Sequence, residues 1–435
     1  MGGNESLKNK ILRNASWIII CKIGQSVLSL LVTMITARYL GPTNYGVINY
    51  AAAVVAFVAP VVQLGFGNIQ VLTLVERPDE EGKVVGTTLL SSIVMALVGI
   101  CGIVAFSMIA NRNDFQTIVV CALYSFVLLL QGAELIQYWF QKKYLSKYYS
   151  IISLSAFAVV SAYKVYLLTN GTSIAWFAIS NSIDYALILA ASIIVYRKLG
   201  GQKLSFSRRL AFEMLEKSKH YILANLMIVI FTQTDRVMLQ LMLNSEATGF
   251  YSAAATCSGM FNFVFAAIID SARPTIFENL KKSHKSFEES VSMLYSVIIY
   301  SSLLICILVT IFSGLIVHII YGVQYDPSIM TLRIAVWFIP FSFIGSVRNV
   351  WLLAENKQRW LPMINLSGAI LNVIMNLVLI PLMGINGAAI ASLLTQIFAN
   401  VIVSYLIKET RENTCLMIEG FNPKHLVRLI KQVKK

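Results

Sequence analysis

The chain has 435 residues, of which 57% are hydrophobic and only 13% are charged, and its formal net charge is +14. Ordinary soluble domains carry about 25% charged residues, so this composition excludes that class. Apolar runs long enough to cross a bilayer, about 20 residues each, recur along the whole sequence. The short segments of period two that build a membrane β-barrel are absent from it. The sequence therefore predicts an all-α integral membrane protein.

Twelve transmembrane helices are predicted from the apolar runs. In chain order they cover residues 15–40, 45–75, 84–110, 116–141, 149–169, 173–196, 219–243, 247–272, 291–320, 328–354, 360–382 and 386–407. Pro60, Pro340 and Pro381 are the predicted kinks. These spans predict an N-terminal six-helix lobe over residues 1–200 and a C-terminal six-helix lobe over residues 219–408. A basic linker, residues 201–218, joins the lobes, and a basic amphipathic tail, residues 409–435, follows them.

One turn sequence occurs twice. Leu40, Gly46 and Ala51–Ala52 align with Leu243, Gly249 and Ala254–Ala255 at a constant offset close to half the chain. Each copy joins two apolar stretches and is followed by small residues, which let helices approach closely in lipid. Two similar halves are a common plan among transporters.

The basic residues sort by side of the membrane. If both termini are cytoplasmic, 28 of the 35 Lys and Arg residues lie in cytoplasmic segments and five lie inside spans. Only Arg38 and Arg112 lie in outer loops. This is the positive-inside pattern, and it explains the net charge without a nucleic-acid partner. It predicts a multi-pass membrane protein, surrounded by membrane lipids, with both termini cytoplasmic.

Sequence motifs for enzymatic chemistry are absent. There is no P-loop, no dinucleotide-binding GxGxxG after a strand, no HExxH and no GxSxG. The six cysteines offer no CxxC pair, and the sequence suggests no metal site and no cofactor. Without an ATP-binding segment, uphill transport has to draw on an ion gradient, the membrane potential or consumption of the product.

Polar residues at membrane depth are the candidate site residues, since they are costly there and usually face a bundle interior or a wet cavity. Asp184 and Asp235 are the candidates for ion coupling. Neutral candidates for the cavity wall recur at helical spacing: Asn181, Asn225, Thr232, Asn372, Asn376 and Gln396. Ser392 and Asn400 lie on the same helical face as Gln396. Buried hydrogen bonding between helices is the alternative explanation of these residues.

The cations at membrane depth outnumber the carboxylates. Lys22, Lys164, Arg236 and Arg333, together with Arg38, are the candidate substrate-binding cations. A cationic cavity suits an anionic substrate such as a diphosphate head group or an acidic sugar. Lys22, Lys164, Arg333 and Arg348 lie near the ends of their spans, whereas Arg236 lies deep in its span. The alternative to substrate binding for the four near the ends is that their side chains extend to the membrane interface.

Several of these segments carry a family resemblance. Arg38-Tyr-Leu-Gly-Pro-Thr-Asn-Tyr-Gly46, Gln63-Leu-Gly-Phe-Gly67, Thr234-Asp-Arg236 with Gly249-Phe-Tyr-Ser-Ala-Ala254, and Ile380-Pro-Leu-Met-Gly-Ile-Asn-Gly387 resemble O-antigen flippases of the Wzx type. These belong to the multidrug/oligosaccharidyl-lipid/polysaccharide exporter superfamily, and the resemblance covers nearly the whole chain. The lipid II flippase branch fits less well, because it usually has fourteen helices.

The resemblance implies a fold and a function. The fold is MATE-like, with twelve transmembrane helices in two pseudo-symmetric six-helix lobes around a central cavity. The implied function is the movement of an undecaprenyl-diphosphate-linked oligosaccharide, a repeat unit of O-antigen, capsule or exopolysaccharide, to the periplasmic face by alternating access. The implied location is the bacterial cytoplasmic (inner) membrane. A polysaccharide polymerase and a chain-length regulator are the implied protein partners.

Two other functions are weighed. A cation-coupled multidrug exporter of the same superfamily should have a cavity dominated by carboxylates, whereas cations predominate in this sequence. A membrane-embedded glycosyltransferase or polymerase needs large outer loops with catalytic acids or arginines, and here Asp114 and Asp326 stand alone in short loops. The sequence therefore predicts a transporter, not an enzyme.

The predicted orientation can be measured with reporter fusions. Alkaline phosphatase fused after Arg112 should be active, because that loop is predicted to be periplasmic. The same reporter fused after Lys198 or Lys435 should be inactive, and green fluorescent protein should fluoresce there. The opposite activity pattern would show that the topology is inverted.

Overall fold

The protein is helical throughout the part that the structure describes. The computed structural model describes residues 2–422. Its α-helices are α1 Gly2–Val62, α2 Phe66–Glu76, α3 Glu81–Ala110, α4 Phe115–Ser125, α5 Val127–Leu130, α6 Ala133–Lys142, α7 Ser146–Thr169, α8 Ile174–Lys198, α9 Arg208–Met242, α10 Ser245–Gly259, α11 Asn262–Lys282, α12 His284–Ile320, α13 Ser328–Ala335, α14 Phe338–Ala354, α15 Leu361–Ile397, α16 Ser404–Leu406 and α17 Arg411–Gly420. A π-helical segment, Phe398–Val403, joins α15 to α16. The predicted all-α class is confirmed.

Ten segments within residues 2–422 are long and apolar enough to cross a membrane. The two longest, Ile20–Val62 and Gln358–Leu406, are each interrupted by a glycine with positive φ. These are Gly41, at φ 70°, and Gly384, at φ 58°, a backbone conformation that glycine adopts at little cost. Division at these two kinks gives a count consistent with the twelve predicted spans. The chain is therefore a multi-pass membrane protein.

Breaks near the prolines differ from the sequence prediction. The second span was expected to run to residue 75 with a kink at Pro60, but α1 ends at Val62 and the chain turns before α2 begins. The predicted kink at Pro340 is instead a break between α13 and α14, which places Pro340 in the first turn of α14, where its missing N–H costs little. Of the predicted basic amphipathic tail over residues 409–435, residues 423–435 lie outside the described part of the chain.

The two copies of the repeated turn adopt related structures. The kink at Gly41 and the break at Asn244 occupy aligned positions. In the second copy the Asn244 side chain caps α10 by accepting a hydrogen bond from the backbone N–H of Ala247, at 2.8 Å. Small residues after each break are fully buried, including Ala51 and Ala254. Both copies therefore use small residues for close helix packing, as the sequence predicts.

The described residues form two compact units that divide between Val229 and Ile230, within α9. In the N-terminal unit, α1 packs against α4 and α7, and α7 packs against α8. In the C-terminal unit, α12 packs against α11, α14 and α17, and α13 packs against α10 and α15. The functional division into lobes, linker and tail remains a prediction.

The exposed faces of the long helices are apolar. On α12, Leu304, Ile311 and Leu315 are each more than half exposed, whereas Ser296 and Ser302 on the same helix are fully buried. This reverses the arrangement of a water-soluble protein, in which apolar residues are inside. It is the arrangement expected where lipid surrounds the helices.

A buried glutamate connects α3 to α6 in the N-terminal unit. Glu81, which is 4% exposed, accepts hydrogen bonds from the indole N–H of Trp139, at 2.9 Å, and from the ammonium of Lys142. Lys143 forms a second ion pair with it, at 2.8 Å. A carboxylate can remain charged in such a place because cations and a donor surround it.

The exchange Glu81→Gln should destabilise the protein. It leaves the two lysines without their shared partner, which is expected to cost about 2 kcal/mol, and the thermal midpoint in detergent should fall by several degrees. Glu80→Gln is the matched control, because Glu80 pairs with Lys83 at the surface and its loss should change the midpoint little. Equal midpoints for the two variants would contradict the structural role of Glu81.

Candidate functional site

A buried carboxylate forms the centre of a polar cluster in the C-terminal unit. Asp235, on α9, is 4% exposed. Its Oδ2 accepts hydrogen bonds from the hydroxyls of Tyr251 and Ser392. Its Oδ1 accepts from the side-chain amides of Asn376, at 2.7 Å, and Asn372, at 3.2 Å. Four side-chain donors from two helices, α10 and α15, therefore converge on a single carboxylate of α9.

The positions of these donors follow from the local sequence. Asn372 and Asn376 are four residues apart on α15 and so lie on one face of that helix, joined by a hydrogen bond of 3.1 Å. Ser392 is on the same helix but beyond the kink at Gly384. The kink thus separates the two segments of α15 that both reach Asp235.

This carboxylate has no ion-pair partner among the described residues. Within the described residues, no Lys, Arg or His nitrogen lies within 4 Å of Asp235. The neighbouring Arg236 bonds elsewhere, with Nε donating to the Ser252 hydroxyl at 3.3 Å and Nη1 donating to Gln233 Oε1 at 2.6 Å. This matches the expectation that adjacent residues of a helix diverge.

The cluster offers ligand atoms suited to a small cation. Asp235 supplies a carboxylate, and the amide oxygen of Asn376 is buried without a hydrogen-bond partner. Hydroxyl oxygens of Tyr251 and Ser392 and the amide of Asn372 complete the group. Oxygen ligands of this kind favour hard cations.

A second polar cluster lies in the N-terminal unit. Asn181, on α8, donates to the Tyr124 hydroxyl at 2.7 Å, and the Lys164 ammonium lies 3.5 Å from Asn181 Oδ1. Asp184 follows one turn later on the same face and attracts Lys164 electrostatically. Its Oδ1 is buried without a hydrogen-bond partner. Three of the predicted site residues are therefore brought together here.

A functional candidate that sequence reasoning set aside adjoins this cluster. Glu134 accepts hydrogen bonds from Gln63 at 2.9 Å and from the Tyr185 hydroxyl at 2.8 Å. Glu134 lies near the end of the predicted span 116–141, a position for which a side chain at the membrane interface is the simpler interpretation of the sequence. The structure instead places Glu134 at the start of α6, where a break after α5 turns it toward Tyr185, the residue next to Asp184. The preceding Gln131-Gly132 pair could have signalled that break.

The other predicted residues are dispersed. Lys22, Arg38, Asn225 and Thr232 are exposed. Arg333 is also exposed, and its Nε donates to the Ser313 hydroxyl at 2.8 Å. Exposure suits a residue that contacts lipid or substrate, but it brings none of these five into the two clusters. Their role in substrate binding stays a prediction.

Gln396 belongs to a network around a buried arginine. Arg348 is 2% exposed, and its Nη1 donates to Asn400 Oδ1, Ser404 Oγ and the Ala399 carbonyl, at 3.0, 3.1 and 3.3 Å. Asn400 in turn donates to Gln396 Oε1 at 2.6 Å. The alternative that Arg348 extends to the interface is therefore wrong, because hydrogen bonds enclose it in the C-terminal unit.

One group of potential metal ligands occurs among the described residues. Nitrogen and oxygen atoms of His284, Glu288 and Glu412 lie within 4.8 Å of one another. Lys357 already lies 3.6 Å from Glu412, and His284 is 52% exposed. This geometry is that of a surface ion-pair cluster, and it carries no assignment of a metal.

Comparison with known proteins places the chain in a family. The family described as "Polysaccharide biosynthesis protein" matches residues 11–280, more than half of the chain. The chain belongs to this family. Across 422 residues it is 23% identical to an Escherichia coli K12 protein named "Putative O-antigen transporter", over 94% of this chain and 99% of that protein.

Solved structures identify the fold. The polysaccharide biosynthesis family member superposes on the lipid II flippase MurJ, in an inward closed conformation, with a TM-score of 0.71 and 12% identity, over 95% of this chain and 92% of that one. It superposes on an inward-facing multidrug resistance MATE transporter with a TM-score of 0.70 and 12% identity, over 90% and 95%. The predicted MATE-like fold is confirmed. The relatives whose names state an activity are transporters and a flippase, as expected for a chain that is not an enzyme.

Proposed function

We propose that this protein moves a lipid-linked oligosaccharide, carried on undecaprenyl diphosphate, from the cytoplasmic to the periplasmic face of the bacterial inner membrane. Membership of the polysaccharide biosynthesis family carries this proposal. Similarity along nearly the whole chain to an O-antigen transporter candidate supports it, as does a fold shared with a lipid II flippase. Alternating access is the mechanism that this fold suggests.

Asp235 is the proposed coupling residue. It is a buried carboxylate without a cation partner among the described residues, and it holds donors from α10 and both segments of α15. Binding of a proton or sodium ion would neutralise it and rearrange those hydrogen bonds. A charge change at one residue would therefore alter the packing of three helices. Asp184 is the second candidate, in the N-terminal unit.

The cations at membrane depth are the proposed substrate contacts. Arg236 follows Asp235 in the sequence, and its guanidinium donates hydrogen bonds to two neutral partners, Ser252 and Gln233. Lys164 contacts the neutral amide of Asn181 and is attracted by Asp184, with which it forms no ion pair within 4 Å. A cation held by neutral partners retains its charge for an anionic ligand such as a diphosphate. The prenyl chain would remain in the lipid while the sugar crosses.

Deletion of the gene in the native host tests the function. Undecaprenyl-linked oligosaccharide should accumulate on the cytoplasmic face of the membrane, and surface polysaccharide should be lost, because the intermediate cannot cross. Lipid extraction and glycan analysis of each face would identify the sugar. Normal glycan export combined with new drug sensitivity would overturn the proposal in favour of a multidrug exporter.

The exchange Arg236→Ala should abolish surface polysaccharide while membrane abundance stays normal. Removal of the guanidinium eliminates a charge-assisted contact to the substrate, and Arg236→Lys should retain partial export because it keeps the charge. Arg273→Ala is the matched control, since Arg273 is 46% exposed and pairs with Asp270 on its own helix. Normal export by Arg236→Ala would exclude this residue from the transport path.

The exchange Asp235→Asn should remove the response of the purified protein to the coupling ion. An ion that binds only the folded state at one hundred times its dissociation constant stabilises it by about 2.7 kcal/mol. We expect the thermal midpoint of the wild type to rise with sodium at constant ionic strength, or to shift with pH, and that of Asp235→Asn to stay constant. Asp270→Asn is the control. A response that persists in Asp235→Asn and disappears in Asp184→Asn would transfer the role to Asp184.

A further inference from the structure

An apolar cavity in the N-terminal unit is lined by the segment that joins α8 to α9, and basic residues of this segment and of the first turn of α9 follow and precede its wall residues in the sequence. Its volume is about 300 Å³. Its walls include Leu89 and Ile93 of α3, Leu189 and Ile193 of α8, and Leu204 and Phe206 of the joining segment. We propose that this cavity holds an acyl chain of an anionic phospholipid whose head group contacts the adjacent cations. This binding site is separate from the proposed transport function.

The wall that the joining segment contributes is fixed in place. The backbone N–H of Ser205 donates to the Gly82 carbonyl at 3.2 Å, and the Gly82 N–H donates to Gln202 Oε1 at 3.0 Å. The backbone N–H of Ser207 donates to the Thr87 hydroxyl at 3.0 Å. Three hydrogen bonds thus attach this extended segment to the first turns of α3. The cavity is therefore preformed, as binding sites for small ligands usually are.

Charge beside the cavity selects the ligand. Lys203 precedes the wall residue Leu204, and Arg208 and Arg209 follow Phe206. All three are exposed, and among the described residues none has a carboxylate oxygen within 4 Å. By contrast, Lys142 and Lys143 at the end of α6 are paired with Glu81. Three exposed cations without a carboxylate partner therefore favour an anionic head group.

The cavity is accessible from lipid. Leu90 is 43% exposed and lines the cavity, and Val94, one turn further along α3, is 53% exposed on the apolar surface. An acyl chain can therefore enter from the bilayer, which would be unfavourable for a water-soluble ligand. Ligand pockets range from about 300 to 1,000 Å³, so this cavity takes part of one chain and leaves the rest of the lipid in the membrane.

A phospholipid is favoured over the prenyl carrier on grounds of supply, because the bilayer holds anionic phospholipid in large excess over any lipid-linked intermediate. The head group of the bound lipid would contact Lys203 and Arg208, and its acyl chain would contact Phe206. It would thereby hold the joining segment against α3. The stability of this segment would then depend on the anionic lipid content of the membrane.

Photocrosslinking tests the site in the full-length protein. The probe is phosphatidylglycerol with a diazirine on its acyl chain, incorporated into nanodiscs that contain the protein. Phosphatidylcholine with the same chain is the comparison. Mass spectrometry locates the adducts. We expect adducts on peptides that contain Ile93 or Phe206, about tenfold more abundant with phosphatidylglycerol, since each basic residue near a membrane surface contributes several-fold to anionic lipid binding.

Two pairs of variants separate charge from shape. Lys203→Gln combined with Arg208→Gln and Arg209→Gln should reduce the phosphatidylglycerol adducts to the phosphatidylcholine level, whereas Lys281→Gln with Lys282→Gln, on α11, should not. Ile93→Trp should fill the cavity and remove the adducts with both lipids, whereas Val94→Trp, on the lipid-facing side of the same helix, should retain them. Thermal midpoints close to that of the wild type would establish that the variants fold.

Three results would overturn the proposal. The first is equal labelling by the two lipids. The second is labelling that persists in Ile93→Trp. The third is displacement of the probe by undecaprenyl phosphate at a lower concentration than by unlabelled phosphatidylglycerol, which would assign the cavity to the prenyl carrier. None of them depends on whether the protein transports oligosaccharide.

Discussion

The buried charge of Asp235 is the constraint on which the C-terminal unit depends. A carboxylate removed from water is costly unless hydrogen bonds or a cation compensate it. Here the compensation comes from Tyr251, Ser392, Asn372 and Asn376, all neutral, and their helices have to meet at this point. The packing of α9, α10 and α15 is thus tied to the charge of one residue. Such a site is suited to a conformational change driven by ion binding, because both the charge and the packing change in one step.

Breaks in the helices determine how these polar residues are presented. The kink at Gly384 gives α15 two segments that both contact Asp235, and the break after α5 directs Glu134 toward Tyr185. Transporter sites are commonly built where helices are discontinuous, since the backbone there can change direction within the membrane. The same device appears at Gly41 and at Asn244, where the two halves of the chain carry related turns.

The sequence was informative about the helices and about polar residues at membrane depth, and less so about their contacts. Hydropathy located the spans, and helical spacing placed Asn372 and Asn376 on one face, which the structure joins to Asp235. The sequence did not indicate that Tyr251 contacts Asp235, because Tyr251 belongs to the turn motif of small residues, which suggests a role in helix packing. Arg348 lies close to a span end, and this position suggested a side chain at the membrane interface. Sequence alone does not reveal the Ala399 carbonyl and the Asn400 side-chain amide that accept its hydrogen bonds. Such contacts depend on where helices cross, which no local pattern specifies.

The π-helical segment Phe398–Val403 makes the length of its helix as important as its composition. A π-turn accommodates one residue more than an α-turn, and one residue corresponds to a rotation of about 100° around the helix axis. Loss of a single residue here would rotate Ser404 and everything after it away from Arg348, leaving a buried guanidinium short of acceptors. Insertions and deletions in this short stretch should therefore be selected against in the evolution of the protein, even where every individual side chain could be exchanged.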